Sequence, residues 1–249
     1  MTEARPDVSE LKTKLDDSGF VVVEQLMDTD LTRQLADCMN RVFDERAPAD
    51  EPNQHLRGLL DLVPASGLPL LEEALLDPSC LSLADSVLGD DFRLAEVGAR
   101  RFHPGAAGLP LHVGVPANRF IKRGLPAPEQ CLVLTVSWLL DEVSRSNGAR
   151  AFLPCSHLAR RGPRRDQHYD HLAYIEAPAG SAILFNSAVW HAVEPYADPT
   201  GSRCELASAY VVPWLDQCEL GWKAPSEPVR NQLSPRLQQL TQRPAESKE

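Results

Sequence analysis

The chain has 249 residues and a formal charge of −10, a length that suits one large core more economically than two small ones. That acidity argues against a nucleic-acid or anionic-membrane partner, since both favour a basic face. No run approaches the roughly 18 consecutive apolar residues of a membrane helix, and Met1-Thr2-Glu3-Ala4-Arg5-Pro6 lacks a secretory apolar core, so the expected compartment is the cytoplasm.

Apolar residues make up 43% and charged residues 24%, the balance of an ordinary globular protein. Cys38, Cys80, Cys131, Cys155, Cys204 and Cys218 are scattered without a CxxC pair, which in a cytosolic chain reads as reduced thiols.

In chain order, Val8 to Asp17 reads as a short polar helix closed by Ser18-Gly19, where glycine suits a left-handed cap. Phe20-Val21-Val22-Val23 is a β-branched strand. After Asp28 or Asp30 as a cap, Leu31, Leu35, Cys38, Met39, Val42 and Phe43 recur at three- and four-residue steps. Such a stripe marks an amphipathic helix whose apolar side chains are core. Ala47 to Gln54 reads as a loop, and helices are expected over Pro69 to Leu76 and Ser79 to Leu88.

Past Gly89-Asp90-Asp91 the pattern changes to short apolar runs broken by Gly, Pro and Asn. Strands are expected at Phe92 to Phe102, Cys131 to Leu140, Ala149 to Leu153, Leu172 to Glu176, Ser181 to Phe185, Ala188 to Val193 and Arg203 to Val212. Many short strands with turn signals between them predict a mainly β fold, a jelly roll with the N-terminal helices on one face. The whole chain is expected to form one domain: a helical front to about residue 90, a barrel over about 91–215, and a polar tail from about 224 holding one helix and a frayed end.

The stretch Leu111-His112-Val113-Gly114, taken with Trp190-His191 and Arg203, organises the second half. Between its two histidines lie Asn147-Gly148, then Leu153-Pro154-Cys155-Ser156-His157, then Ala179-Gly180 before the strand ending in Phe185. Together with Gly19-Phe20-Val21-Val22, this order resembles the phytanoyl-CoA dioxygenase-like branch of the Fe(II)/2-oxoglutarate oxygenases, from about Gly19 to Trp214. Cys155 stands in that family's usual glycine place, and Ser156-His157 is expected to shape a turn.

The resemblance implies a double-stranded β-helix of cupin-like type, with His112 and His191 as iron ligands on strands that face each other across the barrel. It implies Arg203 as the cation for the far carboxylate of 2-oxoglutarate, with O₂ as the co-oxidant and a small-molecule substrate. The residue types suit those roles: neutral imidazoles suit Fe(II), and a guanidinium is a planar two-pronged donor to carboxylates. The plainer alternatives are a hydrogen-bonded core histidine and a surface cation. Strand parity places Arg203, Glu205, Ala207 and Ala209 on one face, where Glu205 is an awkward neighbour for a dicarboxylate unless another cation pairs with it.

Gly114 replaces the Asp of the family's His-x-Asp motif. Three outcomes follow. A chloride can take the missing carboxylate's coordination position, as in the aliphatic halogenases with His-x-Ala or His-x-Gly motifs, for which the absent side chain leaves room. Water or another carboxylate can complete the shell and leave a hydroxylase. Iron can be lost, leaving a non-catalytic protein. The halogenase is the favoured expectation, and secondary metabolism would be consistent with it. A literal His168-Tyr169-Asp170 lies too close to His191 to leave enough strands between two ligands. Arg119, Lys122 and Arg123 form a basic run after His112, either a solvated loop or an anion clamp.

Overall fold

The computed structural model describes residues 5–164, 166–215 and 221–242. Helix α1 (Val8–Ser18) starts where the Asp7 carboxylate accepts from the Ser9 amide and stops at Gly19, whose φ of 88° needs no Cβ. Strand β1 (Phe20–Val23) follows, then α2 (Thr29–Arg46), capped by Asp28 through the amides of Asp30 and Leu31. The whole predicted stripe of α2 is buried, from Leu31 to Phe43. Helices α3 (Leu68–Leu75) and α4 (Pro78–Leu88) complete the front half.

Between α2 and α3 the loop expected over Ala47 to Gln54 is present as far as residue 52, but its last two residues open an unexpected strand, β2 (Asn53–Arg57). A segment with one apolar residue carries no strand signal of its own, and pairing decides it. Gln54 and Leu56 point into the protein beside β3 (Arg93–Phe102), in a register that sets His55 opposite Arg100.

The remaining strands are β4 (Leu109–His112), β5 (Val133–Leu139), β6 (Arg150–Leu153), β7 (Ala173–Tyr174), β8 (Ala182–Asn186), β9 (Trp190–Val193) and β10 (Arg203–Val211). One sheet has the order β1-β8-β5-β10-β3-β2 and the other β4-β9-β6-β7, the two-sheet jelly roll that the alternating pattern predicts. Two strands of the larger sheet, β1 and β2, come from the helical front.

The outer face of the larger sheet carries the helices. Cys204, Leu206 and Tyr210 of β10 are fully buried there with Leu71, Leu75 and Leu83, and the Tyr210 hydroxyl donates to Leu75 O at 2.6 Å. Between the sheets lie Leu139, Phe152, Ile183, Phe185 and Val189, which close part of the barrel and leave the rest for a site.

Two further expectations are corrected. The basic run after His112 is a short helix, α5 (Ala117–Lys122). The tail holds two helices, α6 (Glu227–Arg230) and α7 (Pro235–Leu240), with Leu233, Leu237 and Leu240 buried against the main core. Three leucines in a polar stretch suffice when a neighbouring apolar face is waiting for them. The frayed end and Cys218 lie outside the described residues.

Candidate functional site

His112 closes β4 and His191 lies in β9. The resemblance puts these strands across the barrel from each other, but they are hydrogen-bonded neighbours in the smaller sheet, with His112 and His191 directly paired. Direct cross-strand partners share a face and have Cβ atoms about 4.5–5.5 Å apart, and here the ring centroids are 4.3 Å apart. Adjacent-strand pairing therefore does the work of bringing the imidazoles together.

Each ring is held by the same device. His112 Nδ1 lies 2.9 Å from Pro110 O, and His191 Nδ1 lies 2.9 Å from Val189 O. A carbonyl only accepts, so Nδ1 carries the hydrogen and Nε2 keeps its lone pair. Burial, the neighbouring His112 ring and Arg150 push the pKa of His191 down to about 3, against the opposing pull of Val189 O. Burial likewise lowers His112. Two neutral imidazoles with oriented, free Nε2 atoms are what a divalent metal requires.

This depressed pKa has a thermodynamic consequence. Above the unfolded-state value of 6.5 neither state binds a proton at His191. Below it only the unfolded chain does, so stability is lost as pH falls toward the folded value. The metal-free protein is expected to lose about 1–2 kcal/mol between pH 6.5 and pH 5 from this group. Urea unfolding across that range should show the slope, and His191→Phe should flatten it. An unchanged slope in the variant would reject a neutral, buried His191.

The residues around the pair are structural. Phe152 is stacked on Phe20 at 4.6 Å and lies 5.9 Å from His191, with Phe185 at 5.2 Å on another side. Ser156 Oγ accepts from the Trp190 amide, and His157 Nε2 is bonded to Asp16 O. Ser156-His157 thus shapes a turn that holds the start of β9. Cys155 has φ 62°, the left-handed conformation for which glycine is the easier choice.

Gly114 has less room than a missing side chain suggests. Its amide donates to Ser187 O at 2.9 Å, and a Cβ there would lie 2.8 Å from the same oxygen and 3.2 Å from Ser187 Cβ. The direction a side chain would take is filled by the turn that precedes His191. The alternative His168-Tyr169-Asp170 is a surface pair, 3.3 Å apart and 89% and 77% exposed. Among the described residues, no three His, Cys, Asp or Glu side chains are grouped to hold a metal, so the pair stands without a third protein ligand of those types.

A model of the family Phytanoyl-CoA dioxygenase (PhyH) matches residues 15–197. The chain belongs to this family. It is also similar to "Dioxygenase af480" of Aspergillus fumigatus, 26% identical over 247 residues, covering 94% of this chain and 76% of the relative. Among solved structures it resembles HygX from Streptomyces hygroscopicus with nickel and 2-oxoglutarate bound, at a TM-score of 0.69 and 18% identity over 86% of this chain and 90% of that one. It also resembles SnoN, a non-heme alpha ketoglutarate dependent epimerase from nogalamycin biosynthesis, at a TM-score of 0.64 and 16% identity over 83% of each chain. At these identities the structural likenesses establish the jelly-roll fold.

Within this family member, Arg203 is engaged by the protein itself. Its side chain is inward-facing, as parity predicts, with Arg203, Glu205, Ala207 and Ala209 opposite Phe102, Arg100, Gly98 and Glu96 of β3. Yet Arg203 is 1% exposed. Its Nε donates to Asn147 O, Nη2 to Gly148 O, and Nη1 to Glu205, while its guanidinium lies 4.4 Å from the Phe102 ring centre. Glu205 bridges to Arg150 at 2.5 Å, which resolves the awkward carboxylate: the second cation comes from β6.

Arg150 is the residue that motif reading passes over. It lies two residues after Gly148, on the same face of β6 as Phe152, the partner of His191, and that period-2 parity is the signal that could have found it. A cavity of about 160 Å³ opens beside it, lined by His55, Arg100, Thr135, Arg150, Glu205 and Ala207 among others, with Arg203 outside the lining. Phe185 links the two regions, its ring 5.8 Å from the Arg150 guanidinium and 5.2 Å from His191.

Proposed function

We propose that this chain is an Fe(II)- and 2-oxoglutarate-dependent oxidoreductase acting on an unactivated C–H bond of a small molecule, with the metal on Nε2 of His112 and Nε2 of His191. The paired imidazoles carry this reading: each Nδ1 is tied to a main-chain carbonyl, and both rings are neutral at physiological pH. Family membership supports it, as does the solution of HygX with nickel and 2-oxoglutarate. Bound iron with O₂ and the oxoacid would supply the oxidising chemistry. The protein's own part is to orient two ligands on adjacent strands and to exclude water with Phe152 and Phe185.

The finer proposal is chlorination. Gly114 offers no carboxylate, and the close approach of Ser187 O bars one from being placed there without moving the turn. The anionic position therefore falls to an exogenous ligand, for which chloride is favoured. A specific observation favours a second reading, a protein without catalysis: the side-chain nitrogens of Arg203 are engaged by the protein itself.

Anaerobic titration of Fe(II) and 2-oxoglutarate, with and without chloride, separates the readings. The halogenase is expected to bind one iron, to show a charge-transfer band that chloride shifts, and to yield a chlorinated product with its substrate. Turnover that runs equally well without halide and gives only hydroxylated product would leave the hydroxylase. Absence of stoichiometric iron binding would leave the non-catalytic protein.

A further inference from the structure

One row across the inner face of the larger sheet is unusually charged. His55 pairs with Arg100, Arg100 with Glu205, and Glu205 with Leu139, and Arg150 reaches the same carboxylate from the opposite sheet. Three guanidinium groups, Arg100, Arg150 and Arg203, thus surround one carboxylate, and the coulombic pull of all three acts on Glu205. Glu96, the next acid on this face, is bonded to Arg57 and the Gly58 amide.

The cations are not equally engaged. The Arg203 side chain is bonded at Nε, Nη1 and Nη2. Arg100 makes one side-chain hydrogen bond, 3.3 Å to Asn53 Oδ1, and no ion pair among the described residues. Arg150 is 9% exposed, and its buried Nε has no hydrogen-bond partner. Ser137 Oγ, on the same inner face opposite Ala207, is also buried without a partner. Gly98, Ala207 and Ala209 keep side-chain bulk out of the cavity floor. Desolvated cations and orphaned donors around open space are costly unless an anion completes them.

We propose that Arg100 and Arg150, rather than Arg203, form an anion-binding site inside the barrel for a compact carboxylate-bearing molecule. Glu205 is its built-in counter-charge: it occupies Arg203 and one edge of Arg150, and leaves Arg100 and Arg150 Nε to the ligand. The cation cluster stands independently of the metal. Only the identity of the anion as 2-oxoglutarate rests on the oxidative reading above.

The test is calorimetric binding of 2-oxoglutarate, succinate and inorganic phosphate to the metal-free full chain. Wild type is expected to bind both dicarboxylates at least tenfold more tightly than phosphate. Arg100→Gln should weaken dicarboxylate binding tenfold or more while leaving Fe(II) binding at the histidines intact. Glu205→Gln should strengthen it, because a competing negative charge is removed, a gain that a purely structural residue would not produce. Equal affinity of Arg100→Gln and wild type would overturn the site, and so would no dicarboxylate binding to wild type at 10 mM. If Glu205→Gln does not fold, the Arg100→Gln comparison still decides. Iron titration on the same preparations keeps the two proposals apart. Dicarboxylate binding without iron binding rejects the oxidative reading alone, and iron binding without a dicarboxylate effect rejects this site alone.

Discussion

Glu205→Ala is expected to destabilise the fold by about 3–5 kcal/mol, the cost typical of removing one partner from a buried ion pair. Glu205 is 1% exposed and bonded to both Arg150 and Arg203, so its loss leaves two guanidinium groups desolvated without a carboxylate. The damage spreads because Arg203 also ties β10 to the Asn147-Gly148 turn that launches β6. Burial alone would raise the Glu205 pKa, but the combined pull of Arg150, Arg203 and Arg100 and the hydrogen bond from Arg203 hold it near 2. A depressed carboxylate pKa stabilises the folded state above the unfolded value of 4.5, and the contribution is lost as pH falls from there toward 2. The gap between wild type and variant in urea unfolding should therefore be smaller at pH 3 than at pH 7, by about 2 kcal/mol. A loss below 1 kcal/mol at pH 7 would show that the cluster is solvated rather than a buried network.

The second large effect is expected at Gly114. Gly114→Asp restores the family's His-x-Asp spelling, and by motif alone it should restore a metal ligand. The geometry predicts the opposite. Any Cβ at this position meets Ser187 O at 2.8 Å, and that atom is main chain, so β4 or the turn before β9 must move. Overpacking of this kind costs about 1–3 kcal/mol, and the displaced turn carries Val189, whose carbonyl orients His191. Both Gly114→Ala and Gly114→Asp should thus lower the thermal midpoint and weaken iron binding, and neither should bind iron more tightly than wild type. Tighter iron binding by the Asp variant, with unchanged stability, would show that the turn yields freely and that the family's ligand shell can be rebuilt.

Much of this protein is written locally. Asp7, Asp28 and Gly19 are caps whose chemistry acts within a few residues, and the α2 stripe needs only helical periodicity, so these elements are legible from Leu31 or Phe20 outward. The jelly roll follows from strand alternation. The order of the motifs around His112, Asn147-Gly148 and His191 was enough to reach the family, because each motif reports a local turn or strand end.

What only the tertiary structure decided depends on partners far along the chain. β2 is a strand because β3 lies beside it, and Leu233, Leu237 and Leu240 are core because an apolar face is there to receive them. The histidine strands are neighbours rather than opposite walls, which register determines and sequence separation does not reveal. Arg203 illustrates the limit most clearly. Its position after His191 suggests a ligand contact, yet Glu205 and the carbonyls of Asn147 and Gly148 engage its side-chain nitrogens. Arg150, which no motif marks, has an unpaired nitrogen beside the cavity. Which guanidinium keeps an unpaired nitrogen is a matter of hydrogen-bond partners, and those are assigned only when strands distant in sequence come together.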